Sequence, residues 1–330
     1  MENRKVNWGI IATGDIANKF ADDLKLVDNV VLYGVASRFE EKARKFASLH
    51  GFEKYYGEYE ALTRDPQVDV IYIATPHVLH YENTMMCLKA GKAVLCEKPF
   101  AMNAWQLQEM IDEANKQKLF LMEALWTRFI PATEKMLELI QNGRIGKIKY
   151  IHANFGIIPT NDPKQRWFNK ALGGGSLLDI GVYDIFIGQL LLGIPEKINS
   201  MKRLAATGVD AYCSMLFDFT NGEKAIYNSC FDAIMPIEAI IYGEKGSLKL
   251  HHRFHHANKI TVKEDNQLPY EIDISYKGGG YYYEILEVMQ CLKNGQLESP
   301  KLPHQFSLDL MKTLDAVRKE IGLEYEQDVL

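Results

Sequence analysis

Apolar and polar residues fall in alternating blocks along the first third of the chain. Val6 to Ile11 is largely apolar, Ala12-Thr13-Gly14 turns, and Ile16, Phe20 and Leu24 then recur at helical spacing. A second apolar run, Val30 to Ala36, ends at Ser37-Arg38. Strand, glycine-bearing turn, helix and strand make the opening βαβ unit of a dinucleotide-binding domain. The blocks continue. VDVIYIAT (68–75) reads as a buried strand, and a helical stretch from Tyr81 to Lys89 ends at Ala90-Gly91. AVLCEK (93–98) is a strand stopped by Pro99, 103–117 is helical, and LFLMEAL (119–125) is a last strand. Apolar strands separated by helices predict a Rossmann domain, α/β with a doubly wound parallel sheet, over residues 1–125.

The pattern changes after that. Ile148 to Ile157 reads as a strand, and a helix from Ser176 to Leu192 is introduced by Gly173-Gly174-Gly175 and closed by Gly193-Ile194-Pro195. From Ile198 to Ser275 short strands are joined by hairpin turns such as Asn221-Gly222. Two amphipathic helices, 281–293 and 304–321, finish the chain. The expected second domain, 126–330, is α+β on an open, largely antiparallel sheet, with the option that the last helices return to the Rossmann domain. Tyr212, Ser214, Leu216 and Asp218 alternate with Cys213, Met215, Phe217 and Phe219. That alternation leaves one face for the flanking helices and one for a second copy of the chain.

Composition narrows the choice. A chain of 330 residues, 47% of them apolar, has material for two cores. A formal net charge of −5 argues against nucleic-acid binding as the main role. There is no run of about 18 apolar residues, so no membrane span is expected. The N-terminus passes straight into the first apolar run, which leaves no room for a signal peptide. Five scattered cysteines without a C-x-x-C pair read as reduced thiols in a cytoplasmic protein. His251-His252 and His255-His256 lack a nearby cysteine and a helical register, so no metal site is assigned to them.

The candidate chemistry lies at the ends of these blocks. In an open parallel sheet, ligands sit beyond the C-terminal strand ends, where Thr75, Glu97, Lys98 and Glu123 fall. The turn Ala12, Thr13, Gly14, Asp15, Ile16 would bring phosphate oxygens to a helix N-terminus, whose free N–H groups and dipole favour anions. It departs from G-x-G-x-x-G/A by carrying Ala12 at the first glycine position. Ser37-Arg38 stands where an NAD site carries an acid, which points to the 2′-phosphate of NADP(H) over NAD(H). Lys98 would hold a substrate oxygen and stabilise negative charge on it, with Glu97 orienting the ammonium. A solvent-facing ion pair is the plainer reading of the same two residues. Asp179 and Tyr183 lie four apart, on one helix face. Beside an ammonium such as Lys98, Tyr183 would exchange a proton with a substrate alcohol while Asp179 accepts a hydroxyl or holds Lys98. A helix-start acid near a buried tyrosine explains that pair without catalysis. Trp126, Arg128 and Arg166-Trp167-Phe168 would cover a flat or anionic ligand, or pack in the core. The tyrosines 281–283 either line a pocket mouth or cap a helix.

Taken together the segments resemble the glucose–fructose oxidoreductase / inositol dehydrogenase / MocA (Gfo/Idh/MocA) family. The matching elements are G-I-I-A-T-G-D-I-A (9–17), A-T-P-H-x-x-H (74–80), A-G-K-x-V-L-C-E-K-P (90–99), E-A-L-W-T-R-F (123–129) and G-G-G-S-L-L-D-I-G-V-Y (173–183). The last two resemble the branch of dihydrodiol dehydrogenases and NADP-dependent xylose dehydrogenases. The resemblance implies that Lys98, Asp179 and Tyr183 line the substrate site and are catalytic. It implies that Thr75, Pro76, His77 and His80 run beside the cofactor, with His80 shaping that loop. It also implies a homodimer through the C-terminal sheet. Tyrosine at 183, where inositol dehydrogenases carry histidine, argues against an inositol substrate. The expected activity is NADP-dependent hydride transfer between nicotinamide and a hydroxyl or carbonyl of a sugar, cyclic polyol or dihydrodiol. The rivals are a cofactor-binding sensor without turnover, and an enzyme that uses tightly held NAD(P) transiently.

Overall fold

The computed structural model describes residues 4–159 and 165–328. The chain divides into two compact units, 1–129 with 277–308, and 130–276 with 309–330.

The first unit alternates strand and helix: β1 (Val6–Ile11), α1 (Asp15–Leu24), β2 (Val30–Ala36), α2 (Glu40–His50), β3 (Lys54–Tyr56), α3 (Tyr59–Arg64), β4 (Val70–Ile73), α4 (His80–Lys89), β5 (Ala93–Glu97), α5 (Ala104–Gln117) and β6 (Leu121–Ala124). The six strands form one parallel sheet in the order β3-β2-β1-β4-β5-β6. β4, β5 and β6 are buried along their whole length, as helices on both faces require. The order reverses between β1 and β4, so a crevice opens at their C-terminal ends. Within β1, Trp8, Ile10 and Ile11 are completely buried. Each such side chain contributes about 1.5–3 kcal/mol of hydrophobic stabilisation.

The rest of the chain adds α6 (Pro131–Gln141), β7 (Ile148–Gly156), α7 (Val182–Leu192), β8 (Lys197–Leu204), β9 (Asp210–Asp218), β10 (Lys224–Cys230), β11 (Glu238–Gly243), β12 (Gly246–Leu250), β13 (Lys259–Glu264), β14 (Tyr270–Asp273), α8 (Tyr282–Asn294) and α9 (His304–Glu320). In the second unit β7 to β14 form an eight-stranded sheet, order β14-β13-β12-β11-β7-β10-β9-β8. Only β7 and β10 pair in parallel among the described strands of this sheet. The alternation expected on β9 is present: Cys213, Met215 and Phe217 face the core, while Leu216 is 38% exposed on the other face. α7 packs on β7 and β10 and is buried on nearly every side, which fits its run of apolar residues. The stretch Lys170–Leu192 is long and apolar enough to cross a membrane by length and composition, a run that the expectation of no span had passed over. Its apolar window is 83% buried inside the structure, as in a core helix.

Candidate active site

The β1–α1 turn has the shape of an anion cradle. Ala12 holds φ +80°, the left-handed conformation that suits glycine, and its N–H donates to Ala36 O at 2.9 Å. An L-residue there costs roughly 1–2 kcal/mol. Gly14 is the N-cap of α1 and provides no side-chain cap, so the first-turn N–H groups rely on another acceptor. A methyl group on Gly14 would meet nothing within 4 Å. Thr13 and Ile16 are half-buried, and Asp15 is exposed.

The ends of the neighbouring strands carry the other first-unit residues. Ser37 is buried, and its Oγ accepts from Phe39 N at 3.3 Å. Arg38 is exposed beside the Tyr59 hydroxyl. Burial raises the Tyr59 phenol more than Arg38 lowers it. Thr75 and His77 are buried and Pro76 half-buried. Asn83 Nδ2 donates to Thr75 Oγ1 at 3.1 Å. His80 is completely buried between two carbonyl oxygens, Thr75 O at 2.9 Å from Nε2 and Pro99 O at 2.8 Å from Nδ1. Burial pushes its pKa down to about 4, against the upward pull of the two carbonyls. The neutral ring that burial favours carries a single N–H, so His80 donates to one of the two carbonyls and packs against the other, between the 75–77 loop and the Lys98 turn.

Lys98 is half-buried at the end of β5 and joins Pro99 through a cis peptide bond. Its backbone N–H donates to Glu97 Oε2 at 3.2 Å, and the Tyr72 hydroxyl donates to Glu97 Oε1. Tyr72 stacks on Phe20 of α1 with ring centroids 3.7 Å apart, and its phenol is raised well above the usual range by burial first and the Glu97 charge second. Glu97 is thus an inward, partnered carboxylate rather than one arm of a surface ion pair. Trp126 stacks on Tyr281 at 4.4 Å and 9°. Arg128 Nε donates to Lys301 O at 2.9 Å. Of the three tyrosines, Tyr281 is the N-cap residue of α8 and is buried in that stack.

In the second unit the triple glycine is a crowded corner. A Cβ on Gly174 would approach Trp167 O to 2.7 Å, and one on Gly175, at φ +127°, would collide with Asp210 Oδ1. Asp210 Oδ2 accepts from Ser176 Oγ and Leu177 N, both at 2.7 Å. Tyr325 OH donates to Gly174 O at 2.6 Å. Burial pushes the Asp210 carboxyl up to about 6, against these hydrogen bonds. The corner opens into one turn of π-helix, Leu177–Gly181, before α7. The helix expected from Ser176 thus starts wider than an α-helix, with Asp179 inside the widened turn.

Asp179 is buried and accepts from Arg166 Nη1 at 2.7 Å, while that guanidinium stacks 3.8 Å above the Trp167 ring. Trp167 also meets Phe231 edge-on at 5.7 Å. Arg166, stacked on Trp167, thus supports Asp179. Tyr183 is buried in an aromatic group with His255, 4.8 Å between centroids, and Phe155, 6.0 Å. His255 and Phe155 stack at 4.7 Å. The sequence weighed His255 only as a metal ligand. Its place beside Tyr183 depends on the packing of β7, the turn after β12 and α7, for which spacing gives no signal.

Comparison with known proteins follows the same division. Residues 6–125 match the family model described as "Oxidoreductase family, NAD-binding Rossmann fold" of GFO_IDH_MocA, and 133–249 match the "GFO/IDH/MocA C-terminal domain". Trans-1,2-dihydrobenzene-1,2-diol dehydrogenase of Mus musculus is 36% identical, with 98% of this chain and 99% of that protein covered. The Xenopus laevis protein of that name is 38% identical, covering 96% and 98%. Among solved structures, KijD10, a 3-ketoreductase from Actinomadura kijaniata in complex with NADP and TDP-benzene, is 25% identical with TM-score 0.88, covering 96% of this chain and 98% of that one. Levoglucosan dehydrogenase in complex with NADH has the same fold, with TM-score 0.88 at 19% identity and 97% of each chain covered.

Proposed function

This chain belongs to the Gfo/Idh/MocA family, NAD(P)-dependent oxidoreductases of CH–OH groups, and from that premise we propose that it uses NADP(H) on a sugar, cyclic polyol or dihydrodiol. The observation that carries the reading is the full-length similarity to dihydrodiol dehydrogenases in a chain that carries Lys98, Asp179 and Tyr183.

The residues present fit a dinucleotide. The uncapped N-terminus of α1 and the open space over Gly14 suit a pyrophosphate. Arg38, with Ser37 beside it, suits a 2′-phosphate. Thr75, Pro76 and His77 would flank the ribose and nicotinamide, with Trp126 as a flat wall. When bound, the nicotinamide supplies the hydride acceptor or donor. Lys98 binds the substrate oxygen and stabilises the negative charge that grows on it. Tyr183 takes the proton from that oxygen in oxidation and returns it in reduction. Asp179, ion-paired to Arg166, accepts from a second substrate hydroxyl.

The test is a panel of trans-dihydrodiols, aldoses, polyols and dicarbonyls, assayed with NADP(H) and NAD(H). Turnover of a diol or sugar with NADP supports the reading; turnover confined to NAD, or none, overturns it. Arg38→Ala is expected to weaken NADP about 10- to 150-fold, or about 1.5–3 kcal/mol, and to leave NAD nearly unchanged in a fluorescence titration. Equal losses would remove Arg38 from specificity.

The protein is also read as a cytoplasmic homodimer joined through the outer face of the eight-stranded sheet. Met201, Leu216 and Tyr242 are exposed apolar residues of its strands. All five cysteines are buried and unpaired by disulfides, which suits a reducing compartment. Leu216→Glu should shift light scattering from dimer to monomer; a monomeric parent protein would remove the dimer.

A further inference from the structure

β6 is four residues long and buried throughout, yet one of the four is an acid. Glu123 is 2% exposed between Met122 and Ala124. A carboxyl group in a strand interior is costly unless its oxygens are used. Here both are. Oε1 accepts from the Phe100 backbone N–H at 3.2 Å, and Oε2 accepts from Ser307 Oγ of α9 at 2.7 Å. Phe100 is the second residue after Lys98, so the first bond fixes the backbone just beyond Lys98. The near side is held by Glu97, which accepts from Lys98 N, and in the middle the buried His80 ring packs against Pro99, its Nδ1 2.8 Å from Pro99 O.

The surroundings of Glu123 are specific. Cys96 is its neighbour in the β5–β6 register, and the charges of Glu97 and Lys98 reach it from the end of β5. From α9 it meets Ser307, and His304 on the same helix bonds Leu121 O at 2.8 Å, two residues back along β6.

We propose that Glu123 is a positioning residue for Lys98: it fixes the Lys98–Phe100 turn through Phe100 and adds to Glu97 the negative charge against which the ammonium is held. The inference rests on the reading of Lys98 as the group that binds the substrate oxygen. Burial pushes the Glu123 carboxyl up to about 7, with the Ser307 and Phe100 bonds and Lys98 pulling it down and Glu97 pushing it further up. Its charge therefore changes in the neutral range. As it is protonated the ammonium loses a counter-charge and the turn keeps only a bond to a neutral acid. Turnover falls on that side.

The experiment compares pH profiles of kcat for the parent protein, Glu123→Gln and Ser307→Ala. The parent is expected to show an acid limb near about pH 7. Glu123→Gln keeps an acceptor for Phe100 but not the charge. It should lose the limb and run roughly tenfold slower at about pH 8, with KM for NADP within about twofold. Ser307→Ala removes a bond that favours the carboxylate, so the limb should move up by roughly half a unit or more. If Glu123→Gln does not fold, the Ser307→Ala shift decides. A purely structural clamp would lower thermal stability and leave the shape of every profile unchanged, and that outcome overturns the proposal. An infrared difference spectrum between about pH 6 and 8 follows the protonated carboxyl directly, whatever Lys98 does. A band that titrates while kcat shows no limb overturns the positioning role. Full turnover in Lys98→Met, by contrast, overturns the reading on which it rests.

Discussion

The two units present their candidate residues in opposite ways. The first does so from strand ends: the turn after β1, Ser37-Arg38 after β2, Thr75 after β4 and Lys98 after β5. The second does so from one helix start, where Asp179 lies in a π-turn and Tyr183 in the first turn of α7. Their glycines differ in the same sense. Gly14 faces open space, and its neighbour Ala12 tolerates a left-handed backbone in place of glycine. Gly174 and Gly175 are surrounded by the Arg166–Trp167 backbone and by Asp210. The first turn has the room that a dinucleotide-binding Rossmann domain needs at this point. The second is full because it must hold a deformed helix in place.

The comparison breaks most sharply if either half of the proposed proton pair is dispensable. Lys98→Met and Tyr183→Phe are each expected to cut turnover by about 10²- to 10⁴-fold. The double variant should lose little more than the worse single one, because members of a catalytic unit are not additive. Cofactor affinity should survive in Tyr183→Phe. Near-normal turnover in that variant would leave the second unit without its proton-handling group.

The glycines can be set against each other directly. Gly175→Ala forces a methyl group onto Asp210 at a left-handed backbone, and is expected to destabilise the protein by about 3 kcal/mol or more. Gly14→Ala has room and an ordinary extended backbone, φ −76° and ψ −176°, so its stability should stay within about 0.5 kcal/mol of the parent. Its NADP affinity should nevertheless fall at least about tenfold, because the methyl group stands where phosphate oxygens need the N–H groups of α1. Thermal melts and cofactor titrations of the two variants separate the roles. Similar melts for both would mean that the second turn is no more crowded than the first.

How far the sequence could be read follows the same line. Strand-end residues obey a general rule for parallel sheets, so the places of the β1–α1 turn, Ser37-Arg38 and Lys98 at strand ends were visible from block order alone. The alternation on β9 was visible because a half-buried strand has period two. Asp210 was not, because it lies 34 residues from the Ser176 it holds. Neither was the place of His255 against Tyr183, nor that of His80 against Pro99, although His80 was expected to shape the 75–77 loop. Each needs side chains from separate elements to meet. The π-turn was missed because Asp179 and Tyr183 fit an α-helical spacing equally well.

A pH dependence sharpens the contrast at the second corner. Asp210 is completely buried, and its carboxyl sits at about 6 against an ordinary value of 3.8. Between those values the folded chain holds a proton that the unfolded chain has released. Its contribution to stability is complete below the unfolded pKa and is lost as pH rises through the folded one. The loss is up to about 3 kcal/mol. Asp210→Asn keeps an acceptor for Ser176 and Leu177 and cannot ionise. Denaturant titrations from about pH 4 to 7 should show a decline in the parent that is shallower in the variant. Parallel curves would mean that Asp210 is relieved of its burial in solution.

The smallest expected effect concerns Ala12. The left-handed conformation costs an L-residue roughly 1–2 kcal/mol, and glycine adopts it freely. Glycine also loses more backbone freedom on folding, about 0.5–1 kcal/mol relative to alanine. The two terms oppose, so Ala12→Gly should stabilise the protein by no more than about 1.5 kcal/mol. NADP affinity should change by less than about twofold, because the turn already has the required shape and the phosphate contacts come from α1. A clear loss of stability would mean that the Ala12 methyl, half-buried between β1 and α1, packs well enough to outweigh its strain. The first turn would then be as dependent on its side chains as the second, and the contrast between an open cradle and a filled corner would fail on the side where it looks safest.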